Sequence, residues 1–226
     1  MVTPEFNQAR LKWDLRRGTQ EAKYEAFWGK RSPGFPAQDY FSHPHISLEI
    51  GAGTGSFFTL LAKLYPDRFF VAIERCRLRG RRLVRKTKKA GFCNLVGLRG
   101  NAIPALISGI NDASVERIYI LYPCPWPKNS QRKHRWHLHP VMRHLIRVLK
   151  PGGLMLWTSD QTFYIDEAHY VCEREFGLQT LIHGPLAPNE FNDLNAFPEG
   201  RTKFEKTFRL EHRHAYELIV RKNSTL

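Results

Sequence analysis

The sequence predicts an α/β fold, a mostly parallel open sheet with helices on both faces, and three observations carry that expectation. Short apolar runs rich in β-branched residues, at 46–50, 69–73 and 115–122, have the character of buried parallel strands. A glycine-rich turn, Gly51-Ala-Gly-Thr-Gly55, stands between the first run and a helical stretch. A proline loop, 123–128, follows the third run, at the end of a parallel strand where open sheets collect ligands. A length of 226 residues suits one such domain with a full core.

In chain order, residues 1–45 read as an arm ahead of a core domain spanning 46–226. Arg10, Lys12, Arg16, Arg17, Lys30 and Arg31 interleave there with Trp13, Tyr24, Phe27 and Trp28. Such a composition contacts phosphates and stacks on bases, or else simply packs its aromatics on the domain. The whole chain has 35 Lys and Arg against 21 Asp and Glu, a net charge of +14, which favours a polyanionic partner. Nucleic acid is the first expectation and an anionic membrane surface the second. No run approaches the ~18 apolar residues of a membrane span, and residues 1–18 lack a signal-peptide core. A soluble, cytoplasmic protein is expected. Cys76, Cys93, Cys124 and Cys172 are spaced irregularly, which suggests neither a disulfide framework nor a zinc site.

The stretch 48–74 organises the rest: strand, glycine turn, a helix over 57–64, a second strand, and Glu74 at its end. Gly51, Gly53 and Gly55 let the backbone turn sharply and approach a ligand, and Glu74 is placed to take the hydroxyls of a ribose. The third glycine comes one position too early for a dinucleotide turn, and Ser56 stands where that motif has glycine. Glu49, just before the turn, would repel a pyrophosphate and attract a cation such as the amino group of an amino acid. S-adenosylmethionine fits this better than NAD.

Residues 75–89 should form a surface helix with nine basic and no acidic residues. Such a face is either simply solvated or neutralised by nucleic acid, with Arg79, Arg82 and Lys86 among the RNA-facing residues. A third strand is expected over 94–99, followed by Gly100-Asn101-Ala102, where Asn101 suits an adenine edge, a helix cap, or both. Three prolines in five residues make the loop after the fourth strand rigid. A helix over 141–149, a Lys150-Pro-Gly-Gly turn that stops it, a strand over 154–158 and a final strand over 215–220 complete the core. Asp160 lies at a strand end or caps the next helix, and residues 199–205 read as a polar loop in which Thr202 and Glu205 have capping-box spacing. Three His-x-His pairs, His43/His45, His137/His139 and His212/His214, lack a third ligand at zinc-like spacing and are expected to add to a basic RNA-facing surface.

These motifs resemble the bacterial tRNA (guanine-N7)-methyltransferase family. The likeness runs from about Leu48 to Lys222 and rests on Glu49-Ile50-Gly51, Glu74, Gly100-Asn101-Ala102, Pro123-x-Pro125-Trp126-Pro127-Lys128 with Lys133 and Arg135, Leu149-Lys150-Pro151-Gly152-Gly153, Thr158-x-Asp160 and Thr202-Lys203-Phe204-Glu205. It implies a class I methyltransferase, Rossmann-like fold with a seven-stranded sheet, S-adenosylmethionine as cofactor and tRNA as substrate. Glu49, Gly51, Gly53, Gly55, Glu74, Asn101 and Ala102 would hold the cofactor, and Lys128, Asp160, Thr202, Lys203, Phe204 and Glu205 the guanine nucleotide. Arg79, Arg82, Lys86, Arg132, Lys133 and Arg135 would form the RNA surface, with no metal, no membrane, no obligate protein partner visible, and a monomer or homodimer. The family pattern has a catalytic aspartate between the first two prolines, where this chain has Cys124, and Asn129, Ser130 and Gln131 replace a Lys-Arg-His. Reduced or altered activity is expected, the alternative being a catalytically impaired RNA-binding homologue that keeps the cofactor pocket.

Overall fold

The computed structural model describes residues 39–224, so the arm's basic and aromatic residues, Arg10 to Arg31, lie outside the described residues. Seven strands form one sheet: β1 (Ile46–Ile50), β2 (Phe69–Glu74), β3 (Leu95–Arg99), β4 (Val115–Leu121), β5 (Leu149–Ser159), β6 (Gln179–Pro185) and β7 (Tyr216–Arg221). Their order is β3-β2-β1-β4-β5-β7-β6, with β7 antiparallel to both of its neighbours and the other pairings parallel. The principal helices are α1 (Ser56–Leu64), α2 (Arg77–Ala90), α3 (Met142–Val148), α4 (Thr162–Tyr170) and α5 (Lys203–Leu210).

Alternation along the strands divides the core into two layers. On β1 and β2, Ile46, Leu48, Ile50, Val71 and Ile73 join Leu145, Trp157 and Tyr164 on one side of the sheet. Phe70 and Ala72 join Phe57, Phe58, Leu83 and Tyr119 on the other. Helices α1 and α2 therefore cover one face, α3 and α4 the opposite one. Register fixes where polar residues go: with Leu48 and Ile50 committed to the first layer, Glu49 must point to the second.

Three local expectations are corrected. Residues 149–153 do not form a helix-stopping turn; Leu149 is already extended and pairs with Val115, and the register then shifts to Arg117↔Leu154. Gly152 N–H donates to Lys222 O and Lys222 N–H to Gly153 O, so the glycines form a bulge held by the chain just after β7. Residues 199–205 are not all loop, because α5 starts at Lys203 and Arg201 and Glu205 are buried. Asn94, expected in β3, instead donates from Nδ2 to the carbonyls of Ala62, Tyr65 and Arg68 and ties the α1–β2 connection to the sheet. No helix among the described residues is long and apolar enough to cross a membrane.

Candidate active site

Adjacent strands β1 and β4 are where the strand order reverses, and the crevice at their C-terminal ends is the usual ligand site of an open α/β sheet. Glu49 sits there opposite Ala72 of β2 and Tyr119 of β4. It is only 4% exposed, and its Oε2 has no hydrogen-bond partner among the described residues. Burial pushes its pKa up to about 8, with Glu74 and Glu205 adding to the rise and Arg201 opposing it. A buried carboxylate with a free oxygen is costly unless a cation meets it.

The turn that follows is held by its own acidic residue. Glu74 Oε2 accepts the Gly53 N–H at 2.9 Å and Oε1 accepts the Cys76 N–H at 2.6 Å, with Arg79 at 3.6 Å. Gly51 has φ +81° with open space where a side chain would point. Gly55 is required for another reason: a Cβ there would sit 2.3 Å from Leu83 Cδ1, so the glycine lets α1 begin directly against α2. Asn101 is half-buried and its Oδ1 accepts the Ile103 N–H at 3.2 Å, which makes it a helix cap beside the same crevice; Ala102 behind it is buried. An unpartnered buried carboxylate, a second carboxylate at the next strand end and an open glycine turn match the ammonium, ribose and adenosyl parts of S-adenosylmethionine.

The proline loop leaves β4 on the other side of the crevice. Tyr122 (φ +51°) and Trp126 (φ +47°) adopt left-handed backbone, which costs about 1–3 kcal/mol each for such residues and must be held by surrounding contacts. The Tyr122 N–H donates to Thr158 O at 2.7 Å, and Trp126 is held by Arg135. Its Nε donates to Pro125 O and Trp126 O, its Nη2 to Trp126 O at 2.9 Å and Pro127 O at 3.4 Å, and its Nη1 to Glu167 at 2.6 Å. Arg135 is therefore not part of an RNA surface; it is 5% exposed and clamps the loop from within.

His137, expected on that surface too, is fully buried, and burial pushes its pKa down, so the neutral ring shares a 2.7 Å hydrogen bond with Glu167 Oε2. Burial alone would raise Glu167, but hydrogen bonds from His137 and Arg135 bring it below the usual carboxylate range. Arg132 is half-buried, 3.6 Å from Glu167, while Lys128, Lys133 and the Cys124 thiol are exposed.

A second buried charge cluster backs the far wall. Arg201 donates to Glu205 Oε1 from Nη2 at 2.8 Å, to Thr158 Oγ1 at 3.2 Å and to Glu217 Oε1 at 3.4 Å. Burial works against its charge, yet the two carboxylates hold its pKa above the usual guanidinium value. Thr202 caps α5 by accepting the Glu205 N–H, whereas the Glu205 carboxylate accepts the Arg201 N–H at 2.6 Å, so only half of a capping box forms. Lys203 and Phe204 are exposed, and the Phe204 ring stacks on Tyr122 with centroids 5.5 Å apart. Asp160 does not cap α4; its Oδ2 accepts from Gln161 Nε2 and from Arg213.

The structure thus gathers Glu49 and Glu74 at one crevice, with Arg201 and Glu205 close enough to bias the Glu49 carboxyl. Arg201, Glu167 and Glu217 were missed in the sequence, where the four-residue Arg201–Glu205 spacing was the one available signal. Arg79, Arg82 and Lys86 are exposed on α2, as expected.

Comparison with known proteins gives the family and the fold. The family model described as "Putative methyltransferase" matches residues 43–218. A tRNA (guanine-N(7)-)-methyltransferase of Chlamydia felis is 29% identical over 168 residues, which cover 65% of this chain and 75% of that protein. One from Staphylococcus epidermidis is 35% identical over 115 residues, 51% of this chain, and the match spans about half, 53%, of that relative's length. Among solved structures, the 16S rRNA methyltransferase KamB matches with a TM-score of 0.59 at 17% identity, over 85% of this chain and 95% of that one, a likeness of fold. With the matched span running from before Glu49 to beyond Glu217, the chain belongs to this methyltransferase family.

Proposed function

We propose that the protein transfers a methyl group from S-adenosylmethionine to N7 of a guanine in tRNA. The observation that carries this reading is the clamped proline loop, which leaves the C-terminal end of β4 beside the neighbouring parallel strand that carries the unpartnered, buried Glu49. The names of the relatives and the excess of basic charge supply the RNA and the target base.

The cofactor brings an electrophilic methyl group. Glu49 takes its ammonium, Glu74 its ribose hydroxyls and Asn101 its adenine edge, while Gly51 and Gly53 keep Cβ atoms out of the way. Guanine N7 has a lone pair and no proton, so the reaction needs in-line placement and no general base. Placement falls to the loop, with Lys128, Asp160, Lys203 and the exposed Phe204 ring around the nucleotide. Thr202 and Glu205 act as positioning residues, Thr202 by capping α5 and Glu205 through Arg201. A carboxylate at position 124 would accept from the guanine N1–H and amino group and stabilise the positive charge that reaches the ring; the thiol does both poorly. Residues 1–45 serve as an arm to a domain spanning 46–226. The protein acts in the cytoplasm as a monomer or homodimer, with no obligate protein partner visible in its sequence.

The test is methylation of unmodified tRNA with S-adenosylmethionine, read by nucleoside mass spectrometry, for wild type and Cys124→Asp together. Wild type should form 7-methylguanosine, and Cys124→Asp should raise kcat about tenfold, the worth of one charge-assisted hydrogen bond. Product from the variant alone would show a methyltransferase scaffold disabled at one residue. Absence of cofactor binding by wild type would overturn the proposal.

A further inference from the structure

Helix α2 is anchored to the sheet layer through Gly80, Leu83 and Thr87, all buried. Beside that seam, Arg82, Arg85, Lys86 and Lys89 surround an open depression of about 480 Å³ whose remaining wall is Thr54 of the glycine turn. Their spacing of three, four and seven residues sets them on one helix face, along about 10 Å. No acidic residue occurs anywhere in α2, and no acidic side chain pairs with these four among the described residues. Like charges three and four apart work against the helix that carries them, so an unneutralised face of this kind is unfavourable without an anion.

A second feature points the same way. Lys86 Nζ donates to Ser56 Oγ at 2.7 Å, which places the cationic wall against the start of α1. That helix begins at Gly55 with no side-chain cap and no acidic residue in its first turn, so its N-terminal amides add positive potential to the depression.

We infer that this depression binds the phosphodiester backbone of the RNA substrate beside the target nucleotide. Thr54 lies between two glycines of the cofactor turn, so a strand delivering a base to the crevice meets α2 as it passes. An anionic membrane is the poorer occupant, because a surface-binding helix offers a continuous apolar face to the lipid, whereas α2 turns Leu83 into the core and exposes Leu78 alone of its leucines. The assignment of RNA as the anion rests on the proposed function, and the experiment separates the two.

Full-length protein carrying Arg82→Glu with Lys86→Glu is compared with a charge-matched control, Lys63→Glu with Arg174→Glu, by fluorescence anisotropy with unmodified tRNA at several salt concentrations. The depression variant should bind about tenfold more weakly, and its salt slope should fall by roughly 2, one contact per cation lost. The control should change far less, and calorimetric affinity for S-adenosylmethionine should hold in both. Equal weakening in the two doubles, or none, overturns the inference. So does a loss confined to sedimentation with phosphatidylserine vesicles. Arg82→Gln with Lys86→Gln gives the same comparison should the reversal disturb folding. Wild type that binds tRNA with a steep salt slope yet leaves it unmethylated would remove the proposed function and leave the depression standing. Methylation by wild type with unaltered binding by the variant would do the reverse.

Discussion

The two walls of the crevice are built on opposite principles. On the side of β1 and β2, the ligand-facing parts are backbone and one spare carboxylate: a turn shaped by glycines, Glu74 holding the turn's Gly53 N–H, and Glu49 with a free oxygen. On the side of β4, β5 and α5, buried guanidinium groups, Arg135 and Arg201, stand behind the exposed residues and hold them in place. On the proposed cofactor side burial keeps the Glu49 carboxyl protonated until a cation arrives, whereas the charges on the proposed substrate side are already internally neutralised. Mutations should therefore damage stability on the substrate side and affinity on the cofactor side.

The sharpest break of that contrast is Arg201→Met. It would leave Glu205 and Glu217, both at most 2% exposed, without their counter-charge. Stripping one partner from a buried ionic cluster costs about 3–5 kcal/mol, far above the typical single substitution. Urea unfolding should show the midpoint falling without a change in slope. A loss below about 1 kcal/mol would mean that water reaches the cluster and that the substrate wall is not internally held.

Arg135→Lys asks a finer question of the same wall. Lysine can still neutralise Glu167, but it cannot reproduce a planar fork that reaches the carbonyls of Pro125, Trp126 and Pro127. Stability should drop by about 1–2 kcal/mol, and kcat by tenfold or more, with KM for the cofactor unchanged, because a loop displaced by about 1 Å spoils in-line geometry. Equal losses in kcat and in cofactor binding would show that the walls are not separable.

The cofactor wall was legible in the sequence because its signals are local. The runs at 46–50 and 69–73, three glycines and Glu74 lie within 29 residues and need no distant partner to be recognised. The substrate wall was legible only as motif. Arg135 looked like a surface cation because its partner, Glu167, lies 32 residues away, on a helix whose inward face is fixed by tertiary packing. Arg201 went unnoticed for the same reason, since Glu217 comes from the next strand. His137 shows the general limit: nothing in a His-x-His spacing tells a surface pair from one packed against Trp157 and Tyr164. The bulge at 150–153 was misread because its pairing depends on Lys222, at the far end of the chain.

Glu49→Gln tests the cofactor wall by pH. In the free protein, burial holds the Glu49 pKa near 8 against an ordinary 4.5, so the folded state binds a proton that the unfolded chain gives up. Stability from this group is therefore fully present below about pH 4.5 and is lost as pH rises to about 8. Glutamine, which cannot ionise, should remove that slope and leave the variant the more stable protein at pH 8. Cofactor affinity should run the other way. An arriving ammonium favours the carboxylate, so binding near pH 7 should release nearly one proton, detectable by calorimetry in buffers of different ionisation enthalpy. Wild-type affinity should rise by up to tenfold per pH unit between about 6 and 8 and then level off, while Glu49→Gln stays flat. The two proteins should converge at low pH, where wild type carries the protonated, amide-like form. A wild-type affinity that does not change from pH 6 to pH 9 would mean that Glu49 does not meet the cofactor's charge, and the orphaned oxygen would then belong to the scaffold, as Glu205 does on the opposite wall.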